Sequence, residues 1–393
     1  MTAAEPLLTL GIEEEYLLVD PATRELATDP PASILRDCRA LIGEKGGAVA
    51  PEFLRAQIEV GTPVCRSIGE ARAHIVHLRG CVAAAAKSAG LAPIAASTHP
   101  FAEWRSQRRT DHDRYNLLAE DMRHVVQRLL ICGMHIHVGI PDDDLRIDLL
   151  NQVSYFLPHL LALTTSSPFW QGQDTGLKCY RLSVFDALPR TGLPERFESH
   201  AEYTRHVAAL VNAGLIEDAS KIWWDIRPHS RFPTLEMRIA DICTRLEDGI
   251  TVAALYMCLL SMLIRLRRGN QRWRVYANML VRENRWRAQR HGFDRGLVDF
   301  GKGRIVEFPA LLDEIIDLVR EDAERLDCVA EVEGAREIVR RGTSAHRQLA
   351  CYAQAKQSGT SDAEAIRAVV DWLIKETLHG VSCIENPGVK GDK

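Results

Sequence analysis

Cys132-Gly133-Met134-His135-Ile136-His137-Val138-Gly139 decides how this chain of 393 residues is read. Side chains of a β-strand alternate between its faces, so Met134, Ile136 and Val138 share one face and His135 and His137 the other. Two imidazoles on one face of a short strand make a poor core and good ligands for a metal or an anion. Gly11-Ile12-Glu13-Glu14-Glu15-Tyr16-Leu17-Leu18-Val19 has the same alternation: Glu13 and Glu15 share a face and Glu14 takes the other. A strand of paired carboxylates and a strand of paired histidines predict a sheet with a metal site on it.

Two further segments repeat the pattern, Gln57-Ile58-Glu59-Val60 and Glu236-Met237-Arg238. Each presents polar residues at alternate positions and apolar ones between them. Any one pair is also what a solvated sheet face looks like. The set points further, because solvated faces mix Lys, Thr, Ser and Arg, whereas these segments repeat carboxylate or imidazole and contain no lysine.

Outward from these strands, Ser67 and Glu70 form a capping-box pattern that opens a helix closed by Gly90. Leu91–Ser97 reads as a short buried strand. Asp142–Asp144 suit a helix N-terminus, and that helix is expected to run to Ser166. The span Pro168–Pro194 reads as a long loop with one strand, Lys178–Phe185. A helix is expected near His200–Ala213, then strands at Ile222–Arg227 and Thr234–Ala240. From Asp248 the chain reads as helical, with a second capping box at Ser361/Glu364. Strands in the first 240 residues followed by helices predict an α+β fold with a mainly antiparallel sheet. The expectation is one domain over residues 1–385 and a disordered tail at 386–393.

Composition narrows the function. Hydrophobic content of 46% and charged content of 26% are those of a globular chain. A net charge of −4 gives no general attraction to nucleic acid or to a membrane. The most apolar stretch, Ile250 to Leu266, is short for a membrane span and reads as a buried helix. MTAAEPLLTL lacks the basic start and apolar run of a signal peptide. The ten cysteines include no C-x-x-C pair, so thiols in a reducing cytoplasm are expected.

Several glutamates with one or two histidines suit two or more Mg²⁺ or Mn²⁺ ions better than one tetrahedral zinc. Carboxylate-held Mg²⁺ completes its shell with water and phosphate oxygens, which points to a nucleotide. No P-loop and no G-x-G-x-x-G after a strand is present, so metals and arginines must hold the phosphates. Arg181, Arg190, Arg227, Arg231 and Arg238 are the candidates, because guanidinium forks match phosphate and carboxylate oxygens. The arginines between Arg265 and Arg290 read as the basic face of a helix pair. His99, before Pro100, is either a turn histidine or a substrate contact. Cys132 reads as a buried thiol. A metal-dependent amide hydrolase is the competing class, since H-x-H also occurs in such enzymes, and a binding protein without catalysis is a third. Glu13→Gln and Glu236→Gln are expected to spare the fold, as carboxylates on an open sheet face would.

Gly11-Ile12-Glu13-Glu14-Glu15, Thr98-His99-Pro100-Phe101, Gly133–Gly139 and Glu236-Met237-Arg238, in that order, resemble the glutamate–cysteine ligase type 2 family, specifically the YbdK-like carboxylate–amine ligases. The resemblance covers residues 7 to 375. It implies a glutamine-synthetase-like fold, in which a curved antiparallel sheet forms a funnel flanked by helices. It implies ATP as co-substrate and an acyl-phosphate intermediate, from which an amine displaces phosphate to give an amide. Glutamate, through its γ-carboxylate, and cysteine are one substrate pair that it implies, and other carboxylates with other amino acids are the alternative; a homodimer is the implied assembly. The family's metal-binding residues map onto Glu13, Glu15, Glu59, Glu236 and His135. Glu59 and Arg238 are the candidate catalytic residues. Arg181, Arg227, His99 and His137 are candidates for contacts with ATP, phosphate or substrate; Arg181 opens Arg181-Leu182-Ser183-Val184-Phe185-Asp186-Ala187-Leu188-Pro189, which resembles the R-x-x-x-F-x-x-x-P loop near the acceptor site.

Overall fold

The computed structural model describes residues 7–381. The expected tail at 386–393 and the end of the expected domain at 385 lie outside the described residues. Seven strands form the main sheet: β1 (Leu10–Val19), β2 (Ala48–Pro51), β3 (Gln57–Gly61), β4 (Ala92–Ile94), β5 (Met134–Gly139), β6 (Ile226–Pro228) and β7 (Thr234–Met237). Their order is β6-β7-β5-β1-β3-β2, and every pairing is antiparallel. The longest strand, β1, is the hinge of this order: β3 flanks one edge, while β5 and then β4 share the other.

Alternation explains which face is covered. Ile12, Tyr16, Ile58, Val60, Met134, Ile136, Val138, Leu235 and Met237 are all buried and belong to one hydrophobic cluster with the helices Ile68–Ser88 and Leu246–Arg268. The second helix comes close through Gly249, where a Cβ would meet Met134 Sδ at 3.2 Å. It is long and apolar enough to cross a membrane, but 89% of its apolar window is buried inside the protein. The opposite face of the sheet lines an open cleft.

Both predicted caps are present, one of them altered. Ser67 Oγ accepts from Glu70 N at 3.1 Å, but the Glu70 carboxylate returns to Arg66 N rather than to Ser67. At Ser361 and Glu364 the reciprocal box is complete.

Four expectations need correction. Lys178–Phe185 is not a strand; Arg181–Phe185 is one turn of helix. Its β-branched and aromatic residues suggest a strand, yet its β pairing among the described residues is one isolated bridge, Cys179 with Ser167, and β-propensity yields to context. The helix from Asp143 stops at Val153 and a second begins at Leu157, with Pro158 in its first turn. Proline is tolerated there and not in a continuous helix. Ile222–Arg227 divides at Asp225: Trp223–Trp224 pairs in parallel with Thr191–Gly192, and only Ile226–Pro228 joins the main sheet. A small hairpin, Leu297–Asp299 with Arg304–Val306, interrupts the helical half.

Candidate active site

Strand register assembles the site. Directly opposed residues of an antiparallel pair share a face. Glu15 lies opposite Glu59, Glu13 opposite His135, His137 opposite Glu236, and Glu236 opposite Arg227. Four segments read separately in the sequence, joined by Arg227 of β6, thus form one polar strip across five strands.

The contacts within the strip are close. His135 Nδ1 lies 3.1 Å from Glu13 Oε2, and His137 Nε2 lies 3.4 Å from Glu13 Oε1. Glu15 Oε2 accepts from Gly133 N at 2.7 Å. Glu236 accepts from Arg227 Nε at 2.7 Å and also from Arg238 Nη1. The cleft that these side chains line has a volume of about 460 Å³ and includes Arg181, Arg231, His229 and Glu52.

Charge is arranged in two halves. On the β1–β3 side the carboxylates crowd one another. Burial and the adjacent Glu52 push Glu15 up to about 8, and burial with Glu52, Glu13 and Glu15 raises Glu59 well above the usual carboxylate range. On the β5–β7 side cations compensate. Burial would raise Glu236, but Arg238 and Arg227 hold it well below its usual value. Burial would also raise Glu13, but the hydrogen bond to His135 and the imidazole of His137 beside it hold it below the usual carboxylate range. Burial and Arg238 lower His135 to about 4, so its ring is neutral near pH 7.

This donor set fits hard divalent cations. Three groups each bring one ligand atom per residue within 4.8 Å of one another: Glu13, Glu59 and His135; Glu15, Glu52 and Glu59; Glu13, His137 and Glu236. Nε2 of His135 and of His137 is buried without a hydrogen-bond partner. A neutral, orphaned imidazole nitrogen beside several carboxylates is what a metal needs and what a folded core avoids.

The sequence candidates divide accordingly. Glu13, Glu15, Glu59, His135, Glu236, Arg181, Arg227 and Arg238 all line the cleft, and His137 packs beside them. His99 does not: its Nδ1 accepts from Phe101 N and Ala102 N, and its Nε2 faces Arg24 O at 3.0 Å. Both nitrogens are spent on backbone, so His99 holds a turn. Arg190 also stands apart, with Nε on Lys221 O. Glu236 is 1% exposed, which corrects the expectation that its carboxylate matters little to the fold. Cys132 is a buried thiol whose pKa burial drives up. Glu52 was missed because it follows Pro51 at the end of β2, outside any alternating segment. His229 was missed in the loop after β6; its ring stacks on Phe232 and meets His137 edge-on, with centroids 5.3 Å apart.

A family model described as Glutamate-cysteine ligase family 2 (GCS2) matches residues 9–371. The chain belongs to this family. A relative from Rhodospirillum rubrum, named "Putative glutamate--cysteine ligase 2", is 63% identical over 375 residues, covering 95% of this chain and 96% of its own. One of the same name from Jannaschia sp. is 54% identical over 375 residues, covering 95% and 98%. Among solved structures, a glutamate–cysteine ligase from Francisella tularensis in complex with AMP shares the fold at a TM-score of 0.65 and 14% identity, covering 97% of this chain and 94% of that one. A bifunctional glutathione synthetase from Pasteurella multocida matches at 0.64 and 14%, covering 94% and 53%. The expected α+β architecture is therefore present, a mainly antiparallel sheet with a helical C-terminal half, shared with these glutamate–cysteine ligase and glutathione synthetase structures.

Proposed function

We propose that this family member is an ATP-dependent carboxylate–amine ligase. One observation carries the assignment: carboxylates and imidazoles from β1, β3, β5 and β7 converge on one cleft that arginines also enter. An amide hydrolase needs a metal and a water but no set of phosphate-binding arginines. The names of the relatives make the γ-carboxylate of glutamate and the amine of cysteine the first pair to test.

A carboxylate is a poor electrophile, because its leaving group would be oxide. In the first step its oxygen attacks the γ-phosphorus of ATP and ADP leaves. In the second the amine nitrogen attacks the acyl carbon, phosphate leaves, and the amine gives up a proton. Arg238, Arg227 and Arg181 offer guanidinium forks to phosphate and carboxylate oxygens. Glu59, which lines the cleft beside Glu13 and Glu15, is the candidate to take the amine proton. Mg²⁺ or Mn²⁺ would be held by Glu13, Glu15, Glu52, Glu59, His135 and His137, with Glu236 contributing oxygens that also accept from arginine. Such ions supply charge neutralisation for the transferring phosphoryl. An acyl phosphate hydrolyses readily, so restriction of water around it would help the second step. No disulfide joins the nine cysteines among the described residues, as suits a cytoplasmic enzyme.

The test is an amino-acid screen with Mg²⁺ that reads ADP release and product mass. ADP should appear only when ATP, a carboxylate and an amine are all present. Amide hydrolysis without ATP would overturn the assignment.

A further inference from the structure

Arg285 belongs to the basic stretch between Arg265 and Arg290 that the sequence presents as one face of a helix pair. The structure breaks that stretch into separate ion pairs. Arg265 meets Asp322 at 2.8 Å, Arg267 meets Asp148 at 3.1 Å, and Arg285 turns inward from the helix Asn278–His291. Its guanidinium holds two carboxylates at once. Nε and Nη2 reach Asp225 at 2.7 and 3.0 Å, and Nη1 and Nη2 reach Asp186 at 2.7 and 2.8 Å. A planar fork can serve two carboxylates in this way, and a lysine ammonium cannot.

Each carboxylate leads to the cleft. Asp225 is the residue at which the chain leaves Trp223–Trp224 to enter β6. Its carbonyl accepts from Arg238 N at 2.8 Å and from Ile239 N at 3.0 Å. Asp186 closes the short helix that Arg181 opens. From the other end of that helix, Arg181 Nη1 and Nη2 each donate to the carbonyl of Arg238 at 3.2 Å. The peptide of Arg238 is therefore gripped at its N–H by Asp225 and at its C=O by Arg181. Arg285 ties the two grips together. Arg285 is not among the residues lining the cleft of Glu13 and Glu236; it borders a second cleft of about 470 Å³ on the far side of the Arg181 helix, with Ser183, Trp286 and Gln289.

We infer that Arg285 is a positioning residue of the ligase reaction, fixing Arg238 and Arg181 against the transferring phosphoryl group without touching it. The inference rests on the ligase assignment for what is positioned, and on the contacts above for how. Arg285→Lys keeps the charge and loses the double fork. It should lower kcat on the order of 100-fold, as ångström-scale misplacement of catalytic groups does, with little change in KM for ATP. Arg285→Ala should recover turnover saturably when guanidinium chloride is added at low, non-denaturing concentration, because the second cleft opens a path to the vacated position. In an Arg238→Ala background the same Arg285→Lys change should cost almost nothing further, since residues acting through one group are not additive. A purely structural arginine would lower the thermal midpoint and leave the kcat losses additive. Additive losses, or an Arg285→Lys enzyme with wild-type kcat, overturn the inference. If the wild-type protein turns over no carboxylate–amine pair, the ligase assignment fails on its own. A crystal structure of Arg285→Lys then decides the inference: displacement of Arg238 from Glu236 upholds it, and an unmoved Arg238 overturns it.

Discussion

On the helix-covered face of β1, Glu14 accepts from Arg79 Nη2 at 2.7 Å and Nε at 2.9 Å, and from the Tyr16 hydroxyl. Arg79 spends its remaining N–H groups on the carbonyls of Cys243, Thr244 and Thr377. Charge and hydrogen bonds there are closed. On the cleft face, one residue to either side, Glu13 and Glu15 sit among other carboxylates and among imidazoles whose Nε2 atoms lack a hydrogen-bond partner. Under the proposed function, the difference separates an acid that belongs to the fold from acids that belong to the chemistry. Burial alone does not make that distinction, and completeness of partners does.

Arg79→Ala should break the first kind. Removing one partner of a buried pair typically costs about 3–5 kcal/mol, read here by urea unfolding, while the molecules still folded keep their turnover. Loss of turnover at unchanged stability would mean that the two faces are not separate. Glu236 tests the boundary, since it lies in the cleft yet is paired as completely as Glu14. Glu236→Gln leaves Arg227 and Arg238 without their carboxylate and should cost about 3 kcal/mol and also abolish turnover. A fully stable, inactive variant would place Glu236 with Glu13 instead. The crowded carboxylates should respond to cations in the opposite sense. Mg²⁺ at 100 times its dissociation constant stabilises a protein that binds it only when folded by about 2.7 kcal/mol. Unfolding with Mg²⁺ and with EDTA should show that gain in the wild type and a smaller one in Glu59→Gln. Equal gains would remove Glu59 from the metal site.

His99 extends the comparison to a residue that the sequence left between two roles. The structure puts it with Glu14, neutral and held by backbone, with burial lowering its pKa from 6.5 to about 4. As pH falls through 6.5 the unfolded chain takes up a proton that the folded state refuses until about 4, so stability is complete above 6.5 and is lost between these values. From pH 7 to pH 5 the loss should be about 2 kcal/mol for this group. His99→Gln should flatten the dependence of urea unfolding on pH without changing KM for ATP. An unchanged slope would show that His99 is not the buried neutral group described here.

Much of the site was legible because alternation with strong chemical contrast is a local signal. In β1 and β5 each residue's face follows from its neighbours. Register was not legible: no local feature says that Glu236 lies opposite both His137 and Arg227, yet that turns separate pairs into one strip. Glu52 escaped because it lies where a strand ends, and Arg285 because an inward arginine and a surface arginine look alike on a charged helix. His99 was ambiguous for a related reason, since a histidine satisfied by backbone has no signature beyond its proline neighbour. Lys178–Phe185 was misread because strand composition is visible in sequence, and that its pairing stops at the single bridge of Cys179 to Ser167 is not.

Gly133 should give the smallest change in stability and joins both halves of the cleft. Its N–H holds Glu15, and a Cβ at this position would overlap the Arg181 guanidinium. The overlapping atoms are the far end of a flexible side chain, so in Gly133→Ala the arginine can swing aside and the backbone need not move. The expected cost in folding is about 1 kcal/mol, the low end for an added buried methyl, since it forces no backbone shift. The displaced guanidinium, however, is the one that grips the carbonyl of Arg238. Turnover should therefore fall roughly tenfold or more while urea unfolding shifts by no more than that cost, as when a catalytic group is slightly misplaced. Loss of stability with turnover per folded molecule intact would mean that Gly133 serves packing alone, and that Arg181 supports the fold, as Arg79 does, rather than the chemistry.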